Sequence, residues 1–269
     1  MSNAASTGKP VIIAQFSDLH VVAAGRNHYG VDTVAGLERC IAHLGALDVA
    51  PDLLIASGDL VDAGSPAEYR RLRGLLSHVR VPLCLMPGNH DRRAPLRQVF
   101  HDHRYLGCDG RIHYHRDVGG LRVIALDSVV EGRDSGDLDE AQLQWLDALL
   151  RDDPQRPALV LLHHPPVVTG FSRMDRIAVA AESVAGLGRV IAAHPQVRAV
   201  LCGHVHRCAQ TVWHGTLVSI CPSTAFQALL RLGPGKFEAS PDEPPAYQLH
   251  YWDGATLVTH TVTVSPPGS

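Results

Sequence analysis

The sequence lacks any apolar run long enough to cross a membrane. Its longest apolar stretches, ALVLL (158–162) and VRAVLC (197–202), have the length of a buried strand, whereas a membrane-spanning helix needs roughly 20 residues. The N-terminal segment MSNAASTGKP lacks the basic and apolar regions of a secretory signal. We therefore expect a flexible tail over residues 1–10, no membrane partner and a cytoplasmic location.

The sequence also lacks a strong charge of either sign. Its 24 Lys and Arg against 27 Asp and Glu give a net charge of -3, and no stripe of basic residues stands out. Nucleic-acid binding depends on many phosphate contacts from basic side chains, so we expect no nucleic-acid partner. The length of 269 residues and the hydrophobic content of 45% suit a folded chain, and we expect one domain over residues 11–269.

The six cysteines lack the spacing of a disulfide framework. They are scattered through expected strands and helices, which predicts reduced thiols. One cluster, Cys202-x-His204-x-His206-x-Cys208, raises the alternative of a structural zinc site. This cluster has no C-x2-C spacing, and strand alternation places Cys202 in the core, so we favour a core thiol over a zinc ligand.

Strands and helices are expected to alternate along most of the chain. Apolar runs of strand length lie at 11–17, 52–57, 81–86, 158–162 and 197–202. Apolar positions at helical spacing lie at 34–47, 66–79, 139–152 and 180–193. Asp139 is the expected N-cap of the third of these helices.

Three antiparallel hairpins are expected among these elements. Their turns lie at Gly119-Gly120, His214-Gly215 and Asp253-Gly254. A Gly/Pro-rich segment, 232–245, joins the last two hairpins and is expected to be an exposed, mobile loop. Early strand–helix units followed by antiparallel hairpins predict a layered α/β sandwich with mixed sheets.

Chemically active side chains follow directly after five of the expected strands. In open α/β sheets, ligands bind at the carboxyl ends of the strands. Each residue alone has another explanation as a helix cap or a turn residue, but their coincidence at one sheet edge favours a common site. The residues are Asp18 and His20, Asp59, Asn89 with His90 and Asp91, His163 with His164, and His204 with His206.

The residue types at this edge point to two metal ions. Two carboxylates, one amide oxygen and several imidazoles exceed the needs of one four-coordinate ion, whereas two ions can share them if Asp59 bridges. Nitrogen and oxygen ligands without a thiolate favour Fe, Mn, Zn or Co in the divalent or trivalent state. Two ions about 3.5 to 4 Å apart suit displacement at phosphorus, which predicts phosphate-ester chemistry.

Five motifs in this order resemble those of the calcineurin-like metallophosphoesterases. They are DLH (18–20), GD (58–59), GNHD (88–91), HHPP (163–166) and GHVH (203–206). The wider segments GNHDRRAPLRQVF, HHPPVVTGFSRMD and HPQVRAVLCGHVHR resemble bacterial class III cyclic nucleotide phosphodiesterases and glycerophosphodiesterases. The resemblance runs over residues 11–230 and implies a four-layer α/β/β/α sandwich with two mixed sheets.

The resemblance also implies a ligand set. The first ion would take Asp18, His20, Asp59 and His206. The second would take Asp59, Asn89, His163 and His204. His163 is preferred to His164 because the family ligand lies two residues before the first proline, which leaves His164 beside the site.

By the same resemblance, Asn89, His90 and Asp91 form the catalytic group. His90 would give a hydrogen bond or a proton to the substrate phosphate, and Asp91 would orient it. The implied reaction is attack of a metal-bound hydroxide on a small phosphodiester, either a 3′,5′-cyclic nucleotide such as cAMP or a glycerophosphodiester. Many relatives carry an acidic residue after GNHD, whereas Arg92 stands here and is expected to face solvent. Family analogy also implies a homo-oligomer, a dimer or higher.

Two alternatives remain open. The same core also supports phosphomonoesterases and nucleases, although the absence of a basic stripe disfavours a nuclease. A non-catalytic metal-binding scaffold is the other alternative, and the intact His90 disfavours it because a scaffold needs no proton donor beside its metals.

Overall fold

The computed structural model describes residues 9–240 and 242–265 of the chain. Its strands are β1 Val11–Phe16, β2 Leu53–Ser57, β3 Leu83–Met86, β4 Tyr114–Val118, β5 Leu121–Ala125, β6 Ala158–Leu161, β7 Val197–Cys202, β8 Ala209–Trp213, β9 Thr216–Ile220, β10 Gln227–Ala228, β11 Ala239–Ser240, β12 Ala246–Trp252 and β13 Leu257–Thr263. Its helices are α1 Thr33–Gly45, α2 Pro66–Leu76, α3 Arg93–Val99, α4 Glu140–Asp152, α5 Ser172–Asp175 and α6 Ala181–Ala193, with a 3-10 turn at Arg104–Leu106. Residues 1–8 of the expected tail lie outside the described residues.

Two mixed sheets form the centre of the fold. The first has five strands in the order β13-β12-β1-β2-β3, with β1, β2 and β3 parallel and β12 antiparallel to β1. The second has six strands in the order β4-β5-β6-β7-β9-β8, and its inner strands β5, β6, β7 and β9 are parallel. The carboxyl ends of the parallel strands carry the motif loops, as the sequence predicts.

Alternating side chains of the six-stranded sheet separate two hydrophobic cores. In β5, Val123 packs with the five-stranded sheet and with α1 and α2, whereas its neighbour Ile124 packs with α4 and α6. In β6, Leu159 and Val160 divide in the same way between the two cores. Because successive strand residues point to opposite faces, this alternation produces helix, sheet, sheet and helix layers. The predicted four-layer α/β/β/α sandwich is confirmed.

Local signals in the sequence predict one helix start and three hairpin turns. Asp139 caps α4 by accepting a hydrogen bond from the Gln142 amide, as predicted. The hairpins turn at the three expected positions, between β4 and β5, β8 and β9, and β12 and β13. The short helices α3 and α5 and the strand pair β10–β11 were not predicted, because segments this short carry no measurable periodicity.

The segment 232–245 is more structured than the sequence predicts. Leu232, Lys236 and Glu238 are exposed, in line with the expectation of a surface loop. However, β11 lies within it and pairs with β10, and the ring of Phe237 packs 5.6 Å from the ring of His206. The segment therefore reaches the edge of the sheets where the motif loops meet.

Two further expectations concern cysteines and membranes. All six cysteines are free thiols, and Cys202 is fully buried in a hydrophobic core. Among the described residues, none of the groups able to hold a metal ion contains a cysteine. Within the same residues, no helix combines the length and apolarity needed to cross a bilayer.

Candidate metal centre

The expected ligand side chains meet in two groups at the carboxyl edge of both sheets. One group contains Asp18, His20, Asp59 and His206, and the other contains Asp59, His163 and His204. Within each group the potential ligand atoms lie within 4.8 Å of one another. Asn89 adjoins the second group, with Oδ1 at 3.0 Å from Nδ1 of His204. Asp59 is the residue that the two groups share.

The loops that follow the strands hold the site through backbone hydrogen bonds. The Asp18 amide donates to the carbonyl of Gly58 at 3.0 Å, which joins the loops after β1 and β2. The His204 amide donates to both carboxylate oxygens of Asp18 at 3.0 Å, which joins the loop after β7 to the first sheet. The sandwich therefore brings together residues that are 186 positions apart.

Backbone strain is concentrated at these residues. Seven non-glycine residues of the described chain have positive φ, and five of them are Asp18, His20, Asp59, His204 and His206. Side chains beyond glycine rarely adopt this left-handed region, and such strain persists where the surrounding structure enforces it. Strain thus marks the site independently of any motif.

His204 and His206 do not lie on one face of an extended chain. Their φ angles are 72° and 54°, so the chain turns instead of continuing β7. The Val205 amide donates to the Gly203 carbonyl at 2.8 Å within this turn. The turn directs His204 to the group with His163, and His206 to the group with Asp18.

The titration of His20, His206 and Asp59 favours the forms that bind metals, whereas burial raises the pKa of Asp18, and the charge of Asp59 outweighs burial and raises the pKa of His163 to about 9. Burial lowers the pKa of both His20 and His206 to about 4, so these imidazoles are neutral near pH 7. Burial alone would raise the pKa of Asp59, but the charges of His163 and His90 hold it well below its usual value. Neutral imidazoles and an ionised carboxylate are the ligand forms that metal binding requires.

Unpaired ring nitrogens indicate that the residues fit metal ions. Nε2 of His163 and Nε2 of His204 are buried without a hydrogen-bond partner in the described structure. Nε2 of His20 lies 3.0 Å from Nε2 of His206, so two ring nitrogens face each other. Buried polar atoms nearly always have partners. Imidazole nitrogens and carboxylate oxygens suit Mn, Fe, Zn or Co ions, and such ions would be the missing partners here.

Residues 12–208 match the model of the calcineurin-like phosphoesterase family. The chain belongs to this family. A relative from Arcobacter nitrofigilis, named as a probable glycerophosphodiester phosphodiesterase GpdQ, is 34% identical over 93% of this chain and 92% of its own. The 3′,5′-cyclic adenosine monophosphate phosphodiesterase CpdA of Pseudomonas aeruginosa is 32% identical over 87% of this chain and 86% of its own.

Solved structures agree with the fold of this phosphoesterase. A dimetal phosphatase from Danio rerio superposes with a TM-score of 0.70, over 95% of this chain and 99% of its own, at 17% identity. At that identity the likeness shows a shared fold. The family assignment, together with the buried His and Asp groups, indicates a dinuclear metal centre.

Two residues that were not predicted from the sequence, Asp62 and His28, lie close to His90 in this phosphoesterase. Nδ1 of His90 lies 2.8 Å from the carbonyl oxygen of Asp62 and 3.4 Å from its carboxylate. The same carboxylate is 2.9 Å from Nδ1 of His28. Hydrogen bonds from His20, His28 and His90 hold the pKa of Asp62 below its usual range. Burial would lower the pKa of His90, but the charge of Asp59 and the hydrogen bond to Asp62 raise it to about 10.

Asp91 joins two site loops and lies outside both ligand groups. Its Oδ2 accepts hydrogen bonds from the amides of Gly88 at 2.8 Å and Leu60 at 3.0 Å. Its Oδ1 accepts from the Tyr69 hydroxyl at 2.8 Å. Burial and the charge of Asp59 raise the pKa of Asp91 to about 6. The contacts place Asp91 under the loop that carries His90.

His164 and Arg92 also lie outside both groups. Nδ1 of His164 is 2.8 Å from the Ser128 hydroxyl, and its Nε2 is 3.1 Å from the carbonyl of Asp134. Burial lowers the pKa of His164 to about 3. Arg92 is half-buried and donates to the Asp91 carbonyl at 3.2 Å. It is therefore less exposed than the solvent-facing position that the sequence predicts.

A buried polar network supports the site from below. The side-chain nitrogen Nε2 of Gln15 donates to the Ser57 hydroxyl at 2.8 Å and to the Cys202 carbonyl at 3.1 Å. These two residues directly precede the motif loops of β2 and β7. The Ser57 carbonyl lies 2.9 Å from Nδ1 of His163, and an Nδ1–H donor in this contact leaves Nε2 of His163 free toward the site.

Gly88 has no room for a side chain, which gives a test of the packing at the centre. A Cβ at Gly88 would collide with the backbone nitrogen and the carboxylate of Asp59. We expect Gly88→Ala to destabilise the fold by about 2 kcal/mol and to weaken metal binding by about tenfold or more. Urea unfolding and metal titration measure the two effects.

The matched control is Gly74→Ala in α2. A Cβ at Gly74 meets nothing within 4 Å, and the residue is exposed. Because alanine is a better helix former than glycine, this variant should gain about 1 kcal/mol and bind metal normally. Equal metal affinity in the two variants would contradict the tight packing of Gly88 against Asp59.

Proposed function

We propose that the protein is a dinuclear metal-dependent phosphodiesterase that hydrolyses small phosphodiesters. The observation that carries the proposal is the pair of buried ligand groups that share Asp59 on the floor of a cavity. The activities in the names of the two relatives support a diester substrate, either a glycerophosphodiester or a 3′,5′-cyclic nucleotide.

We assign one ion to each ligand group. Asp18, His20, Asp59 and His206 would hold the first ion, and Asp59, Asn89, His163 and His204 would hold the second. When bound, two such ions polarise the phosphoryl oxygen and lower the pKa of water. Fe, Mn, Zn and Co all suit these donors. The four positive charges of two divalent ions would exceed the two negative charges of Asp18 and Asp59. The cavity would therefore attract a phosphate although the chain has a net negative charge.

His90 is the residue that we assign to the substrate. It lines the cavity and is half-buried, and its ring nitrogen Nδ1 is fixed by Asp62. With Nδ1 engaged, Nε2 is the atom available to donate a hydrogen bond or a proton to the phosphate or to the leaving oxygen. Asp91 and Asp62 act by positioning the loop and the ring. The homo-oligomer, the cytoplasmic location and the absence of a nucleic-acid partner stay predictions.

An ester panel tests the proposal. The purified protein, loaded separately with Mn, Fe, Zn or Co, is assayed with bis(p-nitrophenyl) phosphate, p-nitrophenyl phosphate, 3′,5′-cAMP and glycerophosphocholine. We expect hydrolysis of the diesters to exceed that of the monoester. Preference for the monoester would favour a phosphomonoesterase on the same core, and no hydrolysis with any metal would favour the scaffold alternative.

A further inference from the structure

The cavity above the ligand groups has two chemically different sides. Its volume is about 190 Å³, and its floor is formed by candidate ligands and His90. One side of it carries three aromatic residues, Tyr29, Phe226 and Phe237, which we call the aromatic wall. Neither the motifs nor the metal chemistry accounts for these rings.

The aromatic wall begins where the floor ends. The ring of Phe226 is 4.7 Å from that of His206 and 6.0 Å from that of His20. Phe226 is only 2% exposed, so it forms the base of the wall. Tyr29 lies at the mouth with 58% of its surface exposed. A phosphate on the floor would therefore place its attached group against Phe237 and Tyr29.

Tyr29 is exposed and has a strained backbone conformation, and packing against the core does not explain this combination. Its φ is 49°, a left-handed conformation that is rare for a bulky residue. The neighbouring His28 is tied to the site through the contact of 2.9 Å with Asp62. Water-exposed aromatic rings in strained loops are typical of binding sites rather than of stable packing.

The arrangement of the rings suits a planar group better than a cation. The centroids of Tyr29, Phe226 and Phe237 are 5.3 to 6.2 Å apart, with interplanar angles of 50° to 73°. Phe226 meets Tyr29 and Phe237 edge to face, and Tyr29 is tilted against Phe237. Because the rings contact one another, they do not form an open cage, and a flat heterocycle can stack on their exposed surface.

We infer that the aromatic wall binds the nucleobase of a nucleoside phosphodiester, so that 3′,5′-cyclic nucleotides are preferred to aliphatic glycerophosphodiesters. This inference rests on the proposed function, because the phosphate must be held by the floor. Stacking of a base on aromatic side chains increases affinity by roughly five- to 150-fold for each base. The wall would add this affinity without reading the identity of the base.

Two ligands that differ only in the base test the inference. Calorimetric titration of the Mn-loaded protein compares AMP with ribose 5-phosphate, and phosphocholine serves as a third ligand. We expect AMP to bind about tenfold more tightly than ribose 5-phosphate. In Tyr29→Leu and Phe237→Leu the ratio of the two affinities should fall to about two, whereas Tyr29→Phe should keep it because the ring remains.

Tyr251→Leu is the matched control. Tyr251 is an exposed tyrosine of β12, 36% exposed, and it is not among the residues that line the cavity. An unchanged ratio in Tyr29→Leu and Phe237→Leu would overturn the inference, as would equal binding of AMP and ribose 5-phosphate by the wild type. Tighter binding of phosphocholine than of AMP would overturn it in favour of a cation site.

The failure of the inference is distinguishable from failure of the proposed function. If the ester panel gives diester hydrolysis while AMP and ribose 5-phosphate bind equally, only the aromatic wall is misassigned. If no ester is hydrolysed with any metal, the phosphodiesterase itself is wrong. If the wild-type protein binds neither AMP nor ribose 5-phosphate, the inference is also overturned, and the ester panel then reports separately on the enzyme.

Discussion

Replacement of Asp59 by alanine is expected to abolish phosphodiester hydrolysis, with kcat/KM falling by at least about 10³-fold. Asp59 belongs to both ligand groups, so one substitution removes a donor from each. It also leaves His163 and His90 without the carboxylate that raises their pKa values. Metal analysis of the purified variant should give fewer than two ions for each chain.

Asp102→Ala is the control for this variant. Asp102 is a surface carboxylate that is paired with Arg73 and belongs to neither ligand group. Because exposed ion pairs contribute little, this variant should retain its activity and its metal content. Full activity and two ions in Asp59→Ala would refute the shared-ligand arrangement.

Replacement of His90 by alanine should lower kcat by about 10²- to 10⁴-fold while both ions are retained. His90 lies outside the two groups that share Asp59, and its amide donates to Asp59 Oδ1 at 2.9 Å through the backbone, which alanine preserves. If His90 protonates the leaving oxygen, the loss should be larger for cAMP than for bis(p-nitrophenyl) phosphate, because p-nitrophenolate leaves without a proton. Steady-state kinetics with both substrates measures the difference.

Asp62→Asn separates positioning from catalysis. The Asp62 carboxylate lies 3.4 Å from Nδ1 of His90, and Asp62→Asn removes its charge while it keeps the backbone carbonyl at 2.8 Å. We therefore expect this substitution to lower kcat in the wild-type background but to add little in the His90→Ala background. Additive losses would mean that Asp62 acts independently of His90. Loss of metal from His90→Ala would mean that His90 serves the ions rather than the substrate.

The position of the site could be predicted because its residues follow directly after apolar strands. Asp59 follows β2, His163 lies two residues after β6, and parallel strands bring such loops to one edge. The sequence therefore predicts which residues meet, although they are separated by more than 100 positions. The N-cap Asp139 and the hairpin turns were predictable for a similar reason, since each depends on a few adjacent residues.

The parts that could not be predicted depend on loops without periodicity. Asp62 carries one usable signal, since it lies three residues after Asp59 in the same loop. His28, Tyr29 and Phe237 carry none, because long-range packing alone brings them to the cavity. The left-handed turn at His204 was also missed, since an extended chain is the simpler expectation after a strand.

The placement of the ligands across both sheets has a mechanical consequence. In the first group, Asp18 and Asp59 stand on the five-stranded sheet and His206 on the six-stranded sheet; in the second, His163 faces Asp59 across the same boundary. An ion held by either group would therefore cross-link the halves of the sandwich. Metal binding stabilises only the form in which the two sheets are packed together. Higher metal occupancy would therefore strengthen the packing of the two sheets, and loss of metal would weaken it.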